Sequence, residues 1–473
     1  MSSILENGNN KTKCQKFTPG FLVEMMLDLI GYKTSLMGKT ILENSFGSGN
    51  ILKAIVKRYI EDAISVNYKK SDISKGLEQD VHGIELDGEL YTACIHELNT
   101  IVENYGLPPV NWSLYNSNAL SFEFKTKFDF VIGNPPYISY REMDKESRIA
   151  IKKKYDSCSI GKFDYCYAFI ELGLTLLKPT GKLIQLIPNN IYKNVFAQKL
   201  REMLVDKIAI IRDYPNQKLF DKALTSISIF VYDKNCTAES IDYCNMTTKQ
   251  HKEILRKSLG SKWMFEDHVE ETGDSIRFGD LFNASVTIAT LCNKAFVVDQ
   301  TCIDAEQLEM EIIRKAVSPK SLRYKKNKFI IFPYKYGHNG LERYSAKEIQ
   351  NYPCVVKHLQ QYSDELEKRN SDSNALWFEY GRSQALAHLN NEKVLLSTVI
   401  TDKVEVYKVD ALTIPYSGIY ITVKNTQYSL NDAIAILQSK DFFEYVQKIG
   451  ISVSGKSVRI TCKDINNYRF LRR

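Results

Sequence analysis

FVIGNPPYISY, residues 130–140, decides how the rest of the chain is read. Phe128, Phe130, Val131 and Ile132 form an apolar run with the character of a buried strand. Gly133 frees the chain to turn, and Pro135 and Pro136 cannot donate ladder hydrogen bonds, so the strand has to stop there. Asn134 through Tyr137 then make a stiff loop at a strand's carboxyl end, where open α/β sheets bind their ligands.

Upstream and downstream of this loop, apolar strand-like runs alternate with amphipathic helices. TPGFLVEMMLDLIG places Phe21, Leu22, Met25, Met26, Leu29 and Ile30 at helical spacing, with Thr18 as candidate N-cap, Pro19 in the first turn and Gly31 as the stop. TILEN reads as a strand, ILKAIVKRYI as a helix, VHGIEL as a strand, 87–105 as a helix, FDFVIG as a strand and 163–177 as a helix. GKLIQLIP, a helix near 192–205, IAIIRDY and TSISIFVYD complete the series. Strands separated by helices of this length predict a parallel, doubly wound α/β sheet. After Asp233 the pattern turns polar and irregular, and a boundary near 245 divides residues 1–245 from a mixed α+β region over 246–473.

The composition is that of a folded protein: 473 residues, 44% hydrophobic and 25% charged, with a formal charge of +7 that suits a polyanionic partner. The ten cysteines contain no CxxC pair, so zinc-ribbon and dithiol spacings are missing and reduced, mostly buried thiols are expected; no metal is expected. The N-terminus lacks a signal-peptide core and no apolar run reaches about 18 residues, which makes a cytoplasmic location the default expectation.

ILENSFGSGNIL sets Phe46, Gly47, Ser48 and Gly49 between a strand and a helix, where glycines allow close approach of a ligand to free backbone N–H groups. A tight turn is the plainer reading of such a pair. Asn50 and Ile51 stand where a phosphate-gripping loop carries lysine and Ser/Thr, which disfavours ATP. Glu85, ending VHGIE, is placed to accept hydrogen bonds from ribose hydroxyls.

Taken in order, FTP, ENSFGSG, GIELD, NPPY, GKFDYCYAFIELGLTLLKPTGKLIQLIP and TSISIFVYD resemble the gamma group of S-adenosylmethionine-dependent DNA N6-adenine methyltransferases, of TaqI and Eco57I type. FGDLFNASVTIATLCNKAFVV, FIIFPY, WFEYGRSQAL and SVSGKSVRITCKDINNYRF resemble that group's C-terminal specificity domain, so the resemblance covers almost the whole chain. It implies a Rossmann-like methyltransferase domain followed by a target-recognition domain, S-adenosyl-L-methionine as cofactor, double-stranded DNA as substrate and a cognate restriction endonuclease as a further partner.

By the same resemblance Asn134 and the Pro135 carbonyl hold the two hydrogens of an adenine N6, with Pro136 stiffening the loop and Tyr137 stacking on a flipped-out base. One of Phe230 and Tyr232, which share a strand face, forms the second wall of that pocket. Thr18 and Pro19 match a motif packing on the cofactor's methionine moiety, although helix capping also explains Thr18. Glu43 is matched to the cofactor amino group and Phe169 to its adenine, with a core residue as the other reading of Phe169. Asn118 stands where relatives carry an aspartate for that adenine, and its amide oxygen can accept the bond without supplying charge.

In the C-terminal half, basic and aromatic residues interleave over 315–343, Lys325 and Lys326 among them, and Arg382, Ser383 and Gln384 are candidates for DNA contact. DELEK at 364–368 superficially resembles a nuclease acid and lysine set but reads better as an exposed helix, and the 16 residues before the first motif are too few for a nuclease domain. Two other readings stand beside the leading one. A methyltransferase acting on RNA or a protein glutamine shares NPPY, and a DNA-binding subunit needing a partner shares the second half.

Overall fold

The computed structural model describes residues 18–220, 223–265, 275–337, 340–383, 385–386, 389–454 and 456–471. Gln384, and Phe17 at the start of FTP, lie outside them. Two compact units divide the chain, Met1–Asp267 and His268–Arg473.

Nine strands form one sheet in the first unit: β1 (Ile41–Glu43), β2 (Val81–Glu85), β3 (Ser113–Asn116), β4 (Phe128–Gly133), β5 (Leu177–Pro188), β6 (Ile208–Phe220), β7 (Ala223–Asp233), β8 (Ser240–Asn245) and β9 (Gln250–Leu255). Their order is β3-β2-β1-β4-β5-β7-β6-β8-β9. The first five are parallel, β7 and β9 run antiparallel to their neighbours, and β6 and β8 are parallel to each other. A hairpin rather than a helical crossover joins β6 to β7, which is why β7 reverses direction.

Helices cover both faces: α1 (Gly20–Ile30), α2 (Asn50–Ser65), α3 (Lys70–Asp80), α4 (Gly88–Asn104), α5 (Lys145–Lys154), α6 (Cys166–Leu176) and α7 (Gln198–Leu204). Adjacent strand residues go to opposite cores. Ile41, Ile132 and Ile184 pack with α1, α2 and α4, whereas Leu42, Val131 and Leu183 pack with α6 and α7. The expected doubly wound α/β architecture is the one observed.

Three elements differ from the sequence expectation. Helices α3 and α5 had no counterpart in it. The boundary near 245 falls inside the sheet, because β8 and β9 extend it and the first unit continues to Asp267. Thr18 does not cap α1: the capping position is Pro19, with no side-chain bond, and the helix ends before Gly31 as expected.

The second unit is mixed α+β. One four-stranded antiparallel sheet runs 282–286, 419–423, 393–396, 406–409, and a mixed four-stranded sheet runs 297–298, 328–331, 313–317, 414–415, its last pair parallel. Its core gathers Phe296, Ile330, Phe332, Tyr380, Leu395 and Tyr420. Lys393 is buried inside it, donating to the carbonyls of Asp410, Ala411 and Thr413. DELEK contributes to a short helix, Ser363–Glu367, whose buried residue is Leu366. Among the described residues, no helix is long and apolar enough to cross a membrane.

Asp213 on β6 is buried, and burial pushes its carboxyl up to about 6 against the opposing effects of Asn189 and Lys193. The folded state therefore holds this proton to higher pH than the unfolded chain does. Stability falls as pH rises from about 4 through about 6, by about 3 kcal/mol. The substitution Asp213→Asn is expected to flatten the pH dependence of the urea midpoint across that window and to raise it at pH above 7, as equilibrium unfolding at a series of pH values would read.

Candidate active site

The parallel strands β1, β2 and β4 end side by side, and their carboxyl ends carry Glu43, Glu85 and the Asn-Pro-Pro-Tyr loop. Gly49, the residue before α2, has φ +76, a conformation glycine adopts without penalty, and a Cβ there would lie 2.2 Å from the Cys94 sulfur. Glycine is thus required by both backbone and space. The Gly47 N–H donates to Glu85 Oε2 at 2.8 Å and the Asp87 N–H to Oε1 at 2.9 Å, so Glu85 braces the glycine loop from the next strand. Burial raises the Glu85 carboxyl in spite of these bonds. Each carboxylate oxygen retains a further acceptor site.

Glu43 is almost fully buried. Desolvation, opposed by the Leu52 N–H and reinforced by Glu85, holds its carboxyl well above the usual range. Its Oε2 has no hydrogen-bond partner among the described residues. A buried acceptor left open is costly, and it suits a donor arriving with a ligand.

Thr18 joins three parts of the site. Its hydroxyl accepts from Asn134 Nδ2 at 3.1 Å, and its carbonyl accepts from Asn50 Nδ2 at 3.3 Å, at the start of α2. At 6% exposure this hydroxyl works inside the structure rather than at a helix end. With Nδ2 turned toward Thr18, the Asn134 amide oxygen is set in the other direction.

Beneath the loop, Asn44 is fully buried, donating to the Phe169 carbonyl at 3.2 Å and accepting from Gln185 Nε2 at 3.4 Å. A Cβ on Gly133 would meet Asn44 Oδ1 at 2.6 Å. Gly133 is therefore needed for space beside Asn44, and it stays within β4 instead of turning out of it. Neither Asn44 nor Gln185 was singled out from sequence; an amide following a strand-end acid is the one local signal. Pro135 is buried and Pro136 half-buried. The Tyr137 hydroxyl donates to the Leu186 carbonyl at 3.1 Å, which fixes its half-buried ring.

Several expected residues take other places. Phe230 is 0% exposed in the core below α6, so it cannot form a wall of a surface pocket. Tyr232 does share its face, but β7 is antiparallel, and pairing with Leu183 puts Tyr232 opposite Val131, two residues or about 7 Å before the end of β4. It points along the wrong end of the sheet for a base held at Asn134. Phe46 and Phe169 are both buried, Phe169 as a core residue of α6 and Phe46 packed near Tyr91. The Asn118 amide oxygen accepts from the Leu120 N–H at 3.0 Å, closing its own turn. Pro19 stays at the head of α1, beside Thr18.

In the second unit, Lys325 and Lys326 are exposed, with Lys325 in a left-handed turn at φ +51. Arg382 is paired with Asp372 at 2.9 Å, and the same carboxylate accepts from the Ser383 N–H and hydroxyl at 3.0 Å each. The two are brought together, by an acid the sequence reading did not include. Cys302, Glu306 and His358 also converge within 4.8 Å, but Glu306 and the Ala295 carbonyl already occupy both ring nitrogens of the buried His358, at 2.8 and 3.0 Å. This group reads as a polar contact inside the core.

Residues 33–220 match the Eco57I restriction-modification methylase family. The chain is 23% identical to the Type II methyltransferase M.BstVI of Geobacillus stearothermophilus, an alignment covering 96% of this chain and 89% of that protein. It is 24% identical to the Type II restriction enzyme and methyltransferase RM.Eco57I of Escherichia coli, over 66% of this chain but only 37% of the relative. Among solved structures, the Type IIL restriction-modification enzyme MmeI in complex with DNA shares the fold, with TM-score 0.64 and 13% identity over 95% of this chain and 66% of that one. The first unit thus carries the match to the Eco57I-type restriction-modification methylases, and Type II methyltransferases are the chain's homologues.

Proposed function

We propose that the chain is a DNA methyltransferase of a restriction-modification system that acts on the N6 amino group of a flipped-out adenine. The observation that carries this reading is the Asn-Pro-Pro-Tyr loop at the end of β4, with Asn134 tied to the buried Thr18 beside a glycine loop and two strand-end acids.

S-adenosyl-L-methionine fits the residues present: the open Glu43 oxygen, the Gly47 to Gly49 backbone and the remaining acceptor sites of Glu85 are those a nucleoside with an amino acid tail requires. When bound, it supplies a methyl group on a positively charged sulfur. Glu85 would hold the ribose hydroxyls and Glu43 the amino group, while Asn118, already engaged in its own turn, has one acceptor site left for the adenine.

The N6 lone pair of adenine is delocalised into the ring and is a poor nucleophile. The Asn134 amide oxygen and the Pro135 carbonyl would accept the two N6 hydrogens, which favours a tetrahedral nitrogen with its lone pair directed out of the ring. Because the acceptors sit on a proline-stiffened loop, little reorganisation accompanies that step. Tyr137 supplies the stacking surface for the extruded base. The second unit is assigned target recognition, with Lys325 and Lys326 as phosphate contacts. Arg382 and Ser383 would have to exchange Asp372 for DNA to serve there.

The test is incubation of the purified chain with unmethylated duplex DNA and methyl-labelled S-adenosylmethionine, followed by digestion to nucleosides. Label in N6-methyldeoxyadenosine is expected, with Asn134→Ala lowering turnover by about 10²-fold or more at unchanged cofactor affinity. Label only in cytosine, or transfer only to RNA or protein, overturns the reading.

Thr18 acts as a positioning residue in this scheme. Replacing it with valine keeps its shape and removes the hydroxyl, so kcat is expected to fall about 10- to 100-fold while the cofactor KM stays near its original value. Thr18→Ser should restore most of the rate. A change confined to the cofactor KM would instead assign Thr18 to cofactor packing.

A further inference from the structure

Immediately after the Asn-Pro-Pro-Tyr loop comes YREMDKESRIAIKKK, residues 140–154, with six basic residues against three acidic ones. Its helical part is α5. At 100° per residue, Ser147, Ile151 and Lys154 share one face and Lys145, Arg148, Ile149 and Lys152 share the opposite one. The structure follows this division. Ser147 and Ile151 are the buried residues of α5, and Lys154 turns back to the Leu120 carbonyl. On the other face Lys145 and Ile149 are exposed, Ile149 at 59%, and Arg148 and Lys152 are half-buried.

Two of its three acids are engaged within the segment. Glu142 accepts from the Ser139 N–H and hydroxyl, and Asp144 caps α5 through the Ser147 N–H at 2.8 Å. Among the described residues, Lys145, Arg148, Lys152 and Lys153 face no carboxylate at ion-pair distance. Arg323, Lys328, Lys335, Arg343 and Arg382 of the second unit are each paired with an acid.

Two of these cations are also held in place, and Arg148 donates to the Arg141 carbonyl at 3.1 Å. The Arg148 guanidinium lies 4.6 Å and the Lys152 ammonium 5.5 Å from the centre of the Tyr140 ring, which is itself set edge-on against the buried Phe163. Asp144 fixes one end of the helix, and the Tyr155 hydroxyl, on the Leu120 carbonyl at 3.0 Å, fixes the other. Eight residues separate Tyr137 from Lys145, so the helix begins within about 29 Å of the loop that would hold the target base.

We infer that the outward face of α5, Lys145, Arg148, Ile149 and Lys152, is a phosphate-contact surface for the DNA flanking the target adenine. This rests on the proposed function for its choice of polymer. A row of unneutralised cations, two of them held against Tyr140 and interrupted by an exposed apolar side chain, suits a strand of phosphates and sugars. Such contacts carry no sequence information; they would set the register of the duplex over the loop while the second unit reads the site.

The experiment is binding of a fluorescein-labelled duplex to the full chain across a salt series, comparing wild type, Lys145→Gln/Lys152→Gln and a control pair, Lys69→Gln/Lys70→Gln, at the start of α3. Losing two phosphate contacts should reduce the slope of log affinity against log salt by about 1.8, so that the affinity lost between 50 and 200 mM salt shrinks about tenfold. Binding at the lowest salt should weaken, and the control pair should behave as wild type. An unchanged slope in the double variant, while wild type binds and methylates DNA, overturns this surface and leaves the proposed function standing. A slope that drops with single-stranded RNA but not with duplex DNA also overturns it. A wild type with no affinity for duplex DNA removes both proposals together.

Discussion

Thr18 and Asn134 are 116 residues apart in the chain and joined by one hydrogen bond of 3.1 Å. Much of the site depends on that contact. The same threonine offers its carbonyl to Asn50, so the head of α1, the glycine-loop helix α2 and the loop after β4 are tied through one buried residue. An isolated Asn134 side chain would sample several amide orientations. With its nitrogen committed to Thr18, one amide orientation is selected. The layer below is equally constrained, because Asn44 links the carbonyl of Phe169 on α6 to Gln185 on β5 and leaves room for no side chain at Gly133. Such a network is costly to bury unless its members pair. Among the described residues Gln185 Oε1 and Glu43 Oε2 stay open, and at Glu43, on the end of β1, a ligand donor would lower that cost.

What was legible in the sequence follows from which constraints are local. The loop after β4 could be read because two prolines act on the backbone wherever they stand, and α1 because six apolar residues keep helical spacing up to Gly31. Helix α3 was missed because KSDISKGLEQD has two large apolar residues, Ile73 and Leu77, and an interior glycine. Helix α5 was missed because it presents mostly charge and buries only Ser147 and Ile151. The extension by β8 and β9 hid in short alternating strands that look like irregular chain until a partner is known.

The site was legible to the same extent. The strand-end placement of Glu43, Glu85 and Asn134 is as expected, since the end of an apolar run marks the carboxyl edge of a parallel strand. That of Phe230 and Tyr232 is not. Period-two alternation correctly gave them a common face, but which end of the sheet they approach depends on strand direction, and β7 runs antiparallel. Capping, one of the two sequence readings of Thr18, fails because its partner Asn134 is distant in sequence. In the second unit, Arg382 and Ser383 looked free to meet DNA until Asp372, ten residues upstream of Arg382, was found to hold both.

The central claim is that the carboxyl edge formed by β1, β2 and β4 holds a methyl donor and the receiving amine together. A crystal structure of the chain with S-adenosyl-L-homocysteine tests it most directly. The account predicts the nucleoside over the Gly47 to Gly49 backbone, its ribose on Glu85, its amino group at Glu43 and its sulfur facing Asn134. Ligand bound at another edge of the sheet, or Glu43 and Glu85 untouched by it, would contradict the account.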